Sequence, residues 1–104
     1  MQYDVSRIDA KYHFHINGVS YIGQPRSNTA MYIGRKIAEQ IKKLESVEQC
    51  LIFVEMGIEI PAAMKKRHAI FLVENPQLEY AKLAIQLEHM QAEEDKKYRY
   101  LNSE

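Results

Sequence analysis

The sequence has little of what marks secreted, membrane-spanning or nucleic-acid-binding proteins. Its single cysteine, Cys50, lies in the apolar run CLIFV and has no second thiol for an internal disulfide, which fits a reducing compartment. Fourteen basic residues balance fourteen acidic ones, so no net charge draws the chain to nucleic acid or anionic membranes. No apolar run approaches the roughly 20 residues of a membrane span, and the N-terminus lacks the apolar core of a signal peptide. These absences predict a cytoplasmic protein that binds neither membrane nor nucleic acid.

The motifs of common enzyme classes are also missing from the sequence: GxSxG, P-loop, GxGxxG, CxxC and HExxH. His13 and His15 would share one face of a strand, but no third ligand lies nearby, so a solvated polar face is favoured over a metal site. His68 has no neighbouring nucleophile, and we expect a hydrogen-bonded structural histidine rather than a general base. At 104 residues the chain is short for a complete enzyme, so we expect neither cofactor, metal nor catalysis from it alone.

The clearest structural signal is an apolar strand followed directly by a helix. The run Ala69–Val73 is apolar without alternation, which is typical of a strand buried on both faces. Asn75 then predicts a helix cap and Pro76 suits the first helical position, where its missing N–H is not needed. The apolar arc of this helix is wide and indicates packing against a sheet, with Leu83 or Ile85 in the core.

The remaining elements follow from periodicity and turn residues. The patterns predict a hairpin at 12–22 with its turn at Asn17-Gly18, a strand at 29–33, a helix at 34–44, a buried strand at 50–54 and a helix at 76–90. We expect runs 50–54 and 69–73 to be neighbouring, parallel central strands, and the basic run 65–67 to lie in a loop.

Together these elements predict the α/β class, with a small mixed sheet of about four to five strands flanked by helices. The domain is expected to occupy residues 1–90. Residues 91–104 are dense in charge and lack an apolar repeat, which is typical of a tail or of a linker to a further domain.

One segment resembles a known family. FLVENPQLEYAKLA, residues 71–84, resembles the V-x-x-N-P-x-x-x-[FY]-A-K-L pattern that closes the N-terminal domain of the UDP-3-O-acylglucosamine N-acyltransferase family, and Mur ligases open with the same domain type. The order of elements upstream is also similar, so the resemblance covers about residues 17–90. It implies a non-catalytic domain that helps to hold the uridine of a UDP-sugar in bacterial-type envelope biosynthesis. It further implies a hexapeptide-repeat catalytic domain on the C-terminal side, and none of the four histidines here inherits its catalytic role.

The resemblance also implies a substrate site. The family's uridine contacts come from F-x-x-N-P-x-Y, and in the aligned segment MYIGRKIAEQ Tyr32 takes the first aromatic position, with Arg35 and Ala38 at the asparagine and second aromatic positions. Tyr32 would then stack on the base. Arg35 or Lys36 would lie near the diphosphate at the start of a helix, whose dipole favours anions.

Two functions from different classes remain open after these observations. The first is the nucleotide-sugar-binding domain of an acyltransferase-like protein, with Tyr32, Arg35 and Lys36 as its site. The second is a ligand-free structural or interaction domain that kept the fold and offers a sheet edge or a helix face to a partner. UDP binding and partner binding distinguish the two.

Overall fold

The computed structural model describes the backbone of residues 2–102 and the side chains of residues 2–96. Its strands are β1 (Tyr3–Asp4), β2 (His15–Ile16), β3 (Ala30–Ile33), β4 (Leu51–Glu55) and β5 (Ala69–Val73). Its helices are a 3₁₀ turn at Val5–Arg7, a 3₁₀ helix at Arg35–Ser46, α1 (Ala62–Arg67) and α2 (Pro76–Asn102). The 3₁₀ helix at Arg35–Ser46 contains a break at Ile37 and is called the kinked helix below. The predicted α/β class is confirmed.

The five described strands form two sheets. β1 and β2 pair antiparallel, while the main sheet is parallel with the order β3–β4–β5. Since parallel neighbours need crossover connections, the kinked helix joins β3 to β4 and α1 joins β4 to β5. Side chains of both connections pack in one core cluster, which places the two crossovers on the same face of the sheet.

Alternation along the strands divides the core between the two faces of the main sheet. One face packs against the kinked helix and α1, through Met31, Ile33, Ile41, Leu44, Ile52, Val54 and Met64. The other packs against α2 and the small sheet, through Tyr3, Val5, Ile16, Ala30, Leu51, Phe53, Ala69, Leu83 and Leu87. β4 contributes to both clusters, and the prediction of a buried central strand at 50–54 is confirmed for this strand.

The predicted central position of 69–73 is wrong, although β5 is parallel to β4 as expected. β5 is an edge strand, and the Leu72 side chain is 47% exposed. Phe71 and Val73 face α2, whereas Ile70 packs on the opposite cluster and Leu72 lies beyond it. Both faces of the strand are apolar, but neither is fully covered, since Ile70, Phe71 and Val73 are half-buried and Leu72 is exposed. An apolar run therefore did not distinguish a central strand from an open edge.

The outer side of β3, in contrast, is covered by backbone at its amino end, beside Ala30. Val19 forms a parallel bridge with Ala30, supported by hydrogen bonds from Ala30 N–H to Gly18 O at 3.0 Å and from Ser20 N–H to Ala30 O at 2.9 Å. The predicted hairpin at 12–22 is therefore wrong. Residues after Asn17 join β3, and β2 pairs with β1 instead.

Helix α2 begins as predicted but buries a narrower face. Asn75 caps it, because its Oδ1 accepts a hydrogen bond from Leu78 N–H at 3.1 Å. Leu83 and Leu87 are 5% and 4% exposed, while Ile85 is 55% exposed. Ile85 is two residues from Leu83, about 200° around the helix, so it cannot share that face. The expectation of Ile85 as core is wrong, and that of Leu83 is confirmed.

The helix α1 was missed by the sequence patterns. Pro61 lies at the N-cap of α1. The basic run 65–67 forms the last turn of α1 rather than a loop, a position that the helix dipole favours for cations.

Residues 91–96 are exposed and helical, and the α2 backbone continues to Asn102. The last two residues of the expected tail lie outside the described residues. Of the helices in the described part of the chain, none combines the length and apolarity that crossing a bilayer requires.

Candidate functional site

Tyr32, the expected base-stacking residue, packs inside the domain. It lies on β3, is half-buried and packs against the core cluster between the sheet and α2. Its ring centroid is 4.9 Å from that of Tyr80 on α2, with the planes tilted by 54°. Burial beside Tyr32 also raises the pKa of the Tyr80 hydroxyl. The Tyr32 ring therefore serves the contact between sheet and helix.

Arg35 is held at the carboxyl end of β3 and β4 by a set of internal contacts. Its backbone N–H donates to Glu55 Oε1 at 3.1 Å, and its Nε lies 3.1 Å from Glu55 Oε2. Its Nη2 donates to Met56 O at 2.9 Å. These three residues are called the arginine clamp below. The Glu55 carboxylate occupies the position at the start of the kinked helix that an anionic ligand would take.

The backbone around the clamp is shaped to fit it. Gly57 has φ +95°, and a Cβ there would lie 3.2 Å from Arg35 Nη2. Glycine is suited to such a positive φ and to so close an approach. Lys36, the third predicted residue, is exposed and has no ion pair with any side chain in the described part of the chain. Tyr32 faces α2 and Arg35 is bound in the clamp, so the structure does not assemble the three into one open pocket.

Two buried side chains of reactive types, a histidine and a cysteine, also form hydrogen bonds within the domain. His68 is 2% exposed, its Nδ1 accepts from Cys50 N–H at 3.2 Å, and its Nε2 donates to Leu44 O at 3.1 Å. Burial lowers the His68 pKa, with a smaller contribution from neighbouring Arg67, so the ring is neutral. The Cys50 thiol donates to Arg26 O at 3.3 Å, and burial raises its pKa. The prediction of a satisfied structural histidine is confirmed, and neither group is activated for nucleophilic chemistry.

A polar pocket of about 360 Å³ lies near the amino ends of β3 and β4. It includes the exposed His13 and His15, together with Asn28 and Gln49, which have φ of 59° and 53°. The Asn28 amide donates to His15 O and to Gln49 Oε1, at 3.3 Å each. The left-handed residues are thus linked to one another, and the two histidines lie on an exposed polar face as expected. Among the described residues no three potential metal ligands are grouped together.

A second cavity, of about 600 Å³, runs beside the open edge of β5. It is lined by Lys11, Tyr12, Ile60, Lys65, Lys66, Ile70 and Leu72 and is called the edge groove below. Tyr12 lies on the α2 side, with its ring 5.7 Å from that of Phe71. Ile60 belongs to the opposite cluster, so the groove has one wall from each face of the sheet.

Backbone groups of β5 point into the space beside this groove. Ala69 N–H donates to Cys50 O and Val73 O accepts from Met56 N–H, both at 2.9 Å, so these two residues direct their backbone groups toward β4. Because backbone groups alternate along a strand, those of Ile70 and Leu72 point away from β4. Neither residue makes a backbone hydrogen bond beyond the β4 ladder within the described part of the chain. Two N–H donors and two C=O acceptors of β5 therefore point away from β4, at residues that line the edge groove.

The charged residues of the groove are all basic. Lys65 and Lys66 are exposed and form no ion pair with a described side chain. Lys11 lies 3.9 Å from Asp9, and its ammonium group is 5.1 Å from the Tyr12 ring centroid. The sequence predicted none of this site, because its formation depends on β5 being an edge. The only local signal was the basic run immediately before an apolar strand.

Comparison with protein-family models, with curated protein sequences and with solved structures gave no match. The resemblance of residues 71–84 to the acyltransferase family therefore rests on the motif alone, and nucleotide-sugar binding stays a hypothesis.

Proposed function

We propose that this chain is a protein-interaction domain that binds an extended partner segment as an added strand along β5. One observation carries the proposal: the outward backbone groups of Ile70 and Leu72 open into the edge groove. A strand added there gains main-chain hydrogen bonds, while its alternate side chains meet the two groove walls. This is the mode by which a sheet edge recognises an extended peptide.

The other edge of the main sheet does not offer the same opportunity. On the outer side of β3, residues 18–20 already bond to Ala30, so a partner would have to displace backbone of this chain. At β5 no described segment needs to move. The combination of free backbone groups and a groove of sufficient volume for side chains favours β5 as the binding edge.

Binding of a UDP-sugar by Tyr32, Arg35 and Lys36 is the weaker candidate. The Asn-Pro motif and the start of the kinked helix support it. Against it, Tyr32 contacts Tyr80, and the Glu55 carboxylate would have to leave before a diphosphate could bind the Arg35 N–H and guanidinium. Membership of a larger acyltransferase with a C-terminal hexapeptide-repeat domain is a further hypothesis that depends on this one.

A random library of twelve-residue peptides displayed on phage tests strand addition. Peptides selected on the wild-type chain should bind the Leu72→Pro variant roughly tenfold more weakly, because proline removes the outward N–H donor of an edge position. Leu72→Ala is the matched control, since it removes the side chain and keeps the N–H. Circular dichroism should show that both variants remain folded. Equal binding of the selected peptides to Leu72→Pro and Leu72→Ala would contradict the proposal.

A further inference from the structure

We infer that the partner segment recognised along β5 is acidic, with carboxylates alternating with apolar side chains. The inference rests on the proposed strand addition and adds the chemistry of the partner. It follows from the charge of the edge groove, from the sheet face on which each of its lysines lies, and from the poor fit of a second copy of this chain.

Charge is the first argument. The whole chain has no net charge, yet the edge groove is lined by three lysines and by no acidic residue. Lys65 and Lys66 have no ion pair with described residues that would neutralise them, and Lys11 has a single partner, Asp9, at 3.9 Å. The lining of the groove therefore carries excess positive charge, which attracts a segment carrying carboxylates and favours it over a basic competitor.

The position of each lysine suggests a pattern within the partner. Lys65 and Lys66 belong to α1, whose core residue Met64 packs on the kinked-helix face of the sheet. Lys11 lies beside Tyr12, which packs on the α2 face. Because successive side chains of an added strand point to opposite faces, carboxylates reaching α1 would recur at alternate positions. Apolar side chains between them would meet Tyr12 on the α2 face, while Leu72 lies on the same face as α1.

A second copy of this chain fits the groove poorly. Pairing two β5 edges about a two-fold axis would add the same lining to both sides of the interface, and that lining carries three lysines and no carboxylate to pair with them. Lysines beside an edge strand are a known way in which proteins discourage such self-pairing. An acidic segment of another protein is free of this conflict.

The experiment has two readouts: the sequences of the peptides selected from the displayed library, and the affinity of a selected peptide for two double variants. Sequencing should show Glu and Asp enriched at alternate positions among peptides selected on the wild-type chain. Lys65→Gln combined with Lys66→Gln should weaken a selected peptide roughly three- to tenfold, as expected for two exposed ion pairs. Lys42→Gln combined with Lys43→Gln, on the exposed face of the kinked helix, is the matched control and should change affinity less than twofold. The lysine effect should shrink as salt is raised.

Each result separates the inference from the function on which it rests. Peptides that are sensitive to Leu72→Pro, acidic and weakened by loss of Lys65 and Lys66 support both. Peptides sensitive to Leu72→Pro but without acidic enrichment or a lysine effect would overturn the acidic partner and leave strand addition standing. Peptide binding that depends on the lysines but not on Leu72→Pro would indicate an acidic segment held by charge alone, without strand addition, and would overturn both.

Discussion

The carboxyl end of β3 and β4 and the outer edge of β5 both bring basic side chains close to strand backbone, with opposite outcomes. In the arginine clamp, Arg35 is bound to the Glu55 carboxylate and to the Met56 carbonyl. Along β5, Lys65 and Lys66 have no ion pair with described residues, and the outward groups of Ile70 and Leu72 are unpaired within the described chain. A basic residue at a strand end therefore indicates a binding site only when the chain itself supplies no partner.

The same contrast extends to the packing of α2. This helix packs against β3 and β4 more extensively than against β5. The half of the sheet that carries the clamp is thus covered by α2 on one face and by the kinked helix on the other, and residues 18–20 cover its edge beside Ala30. The β5 side is open. The domain combines a well-packed half with one available edge.

The largest expected effect tests the well-packed half. Leu83→Ala removes a nearly buried side chain between α2 and the sheet and should lower the free energy of unfolding by about 2 to 5 kcal/mol. Ile85→Ala, on the exposed side of the same helix, should change it by less than about 0.5 kcal/mol. Urea denaturation of both variants measures the difference. Similar losses from the two would mean that α2 packs on a different face.

The next prediction compares inward and outward positions of β5 itself. Phe71→Pro removes an N–H that points toward β4 and leaves a ladder acceptor unpaired, which should cost about 1 to 3 kcal/mol beyond the loss seen in Phe71→Ala. Leu72→Pro removes an N–H that points away from the sheet. It should therefore cost less than about 1 kcal/mol beyond Leu72→Ala. Equal extra losses at the two positions, measured by denaturation, would contradict the assignment of β5 as an edge strand.

Local signals predicted the parts of the fold that depend on neighbouring residues. Asn75 and Pro76 fix the start of α2 because capping acts within one helical turn. The apolar runs at β4 and β5 were recognised for the same reason. Edge or central position is a property of the whole sheet, and the run at 69–73 contains no residue that encodes it. The Asn17-Gly18 pair suggested a hairpin, but the residues after it pair with β3 through the bridge from Val19 to Ala30.

The candidate site shows the same limit more sharply. The sequence correctly placed Arg35 at the start of a helix. Whether its side chain is available to a ligand, however, depends on Glu55, which is twenty residues away in the chain. No local pattern connects the two. The edge groove joins Lys11 and Tyr12 to Ile60 and to the start of α1, segments about fifty residues apart, so only the folded chain reveals it.

A smaller effect, dependent on pH, tests how β5 is anchored at its start by His68. Its pKa is lowered in the folded chain, so below the unfolded value of about 6.5 the unfolded chain binds more protons. Stability should therefore fall as pH drops from about 6.5 toward the folded pKa, by no more than about 1.4 kcal/mol per pH unit. Urea denaturation between pH 7 and pH 5 measures this slope, and His68→Gln should flatten it. A wild-type slope unchanged in His68→Gln would assign it to other groups.

The smallest expected effect concerns the arginine clamp and the nucleotide-sugar hypothesis. UDP titrated into the wild-type chain should give no saturable NMR response at millimolar concentration, because the Glu55 carboxylate occupies the anion position at the start of the kinked helix. Glu55→Gln keeps a hydrogen-bond acceptor for Arg35 N–H but removes the charge. It should give a weak NMR response to UDP that the wild-type chain lacks, because the start of the kinked helix then has no internal anion.

Two further variants decide whether the internal contacts are the reason. Tyr32→Ala should leave UDP titrations unchanged, because the ring packs against Tyr80 rather than against a ligand. Arg35→Gln combined with Glu55→Gln should cancel the gain from Glu55→Gln alone, since the freed guanidinium is then absent. If the wild-type chain binds UDP and Tyr32→Ala weakens it by about 1 to 3 kcal/mol, as loss of a stacked base would, the clamp opens in solution. The carboxyl end of β3 would then be a nucleotide site, and the contrast between a well-packed half and an open edge would fail.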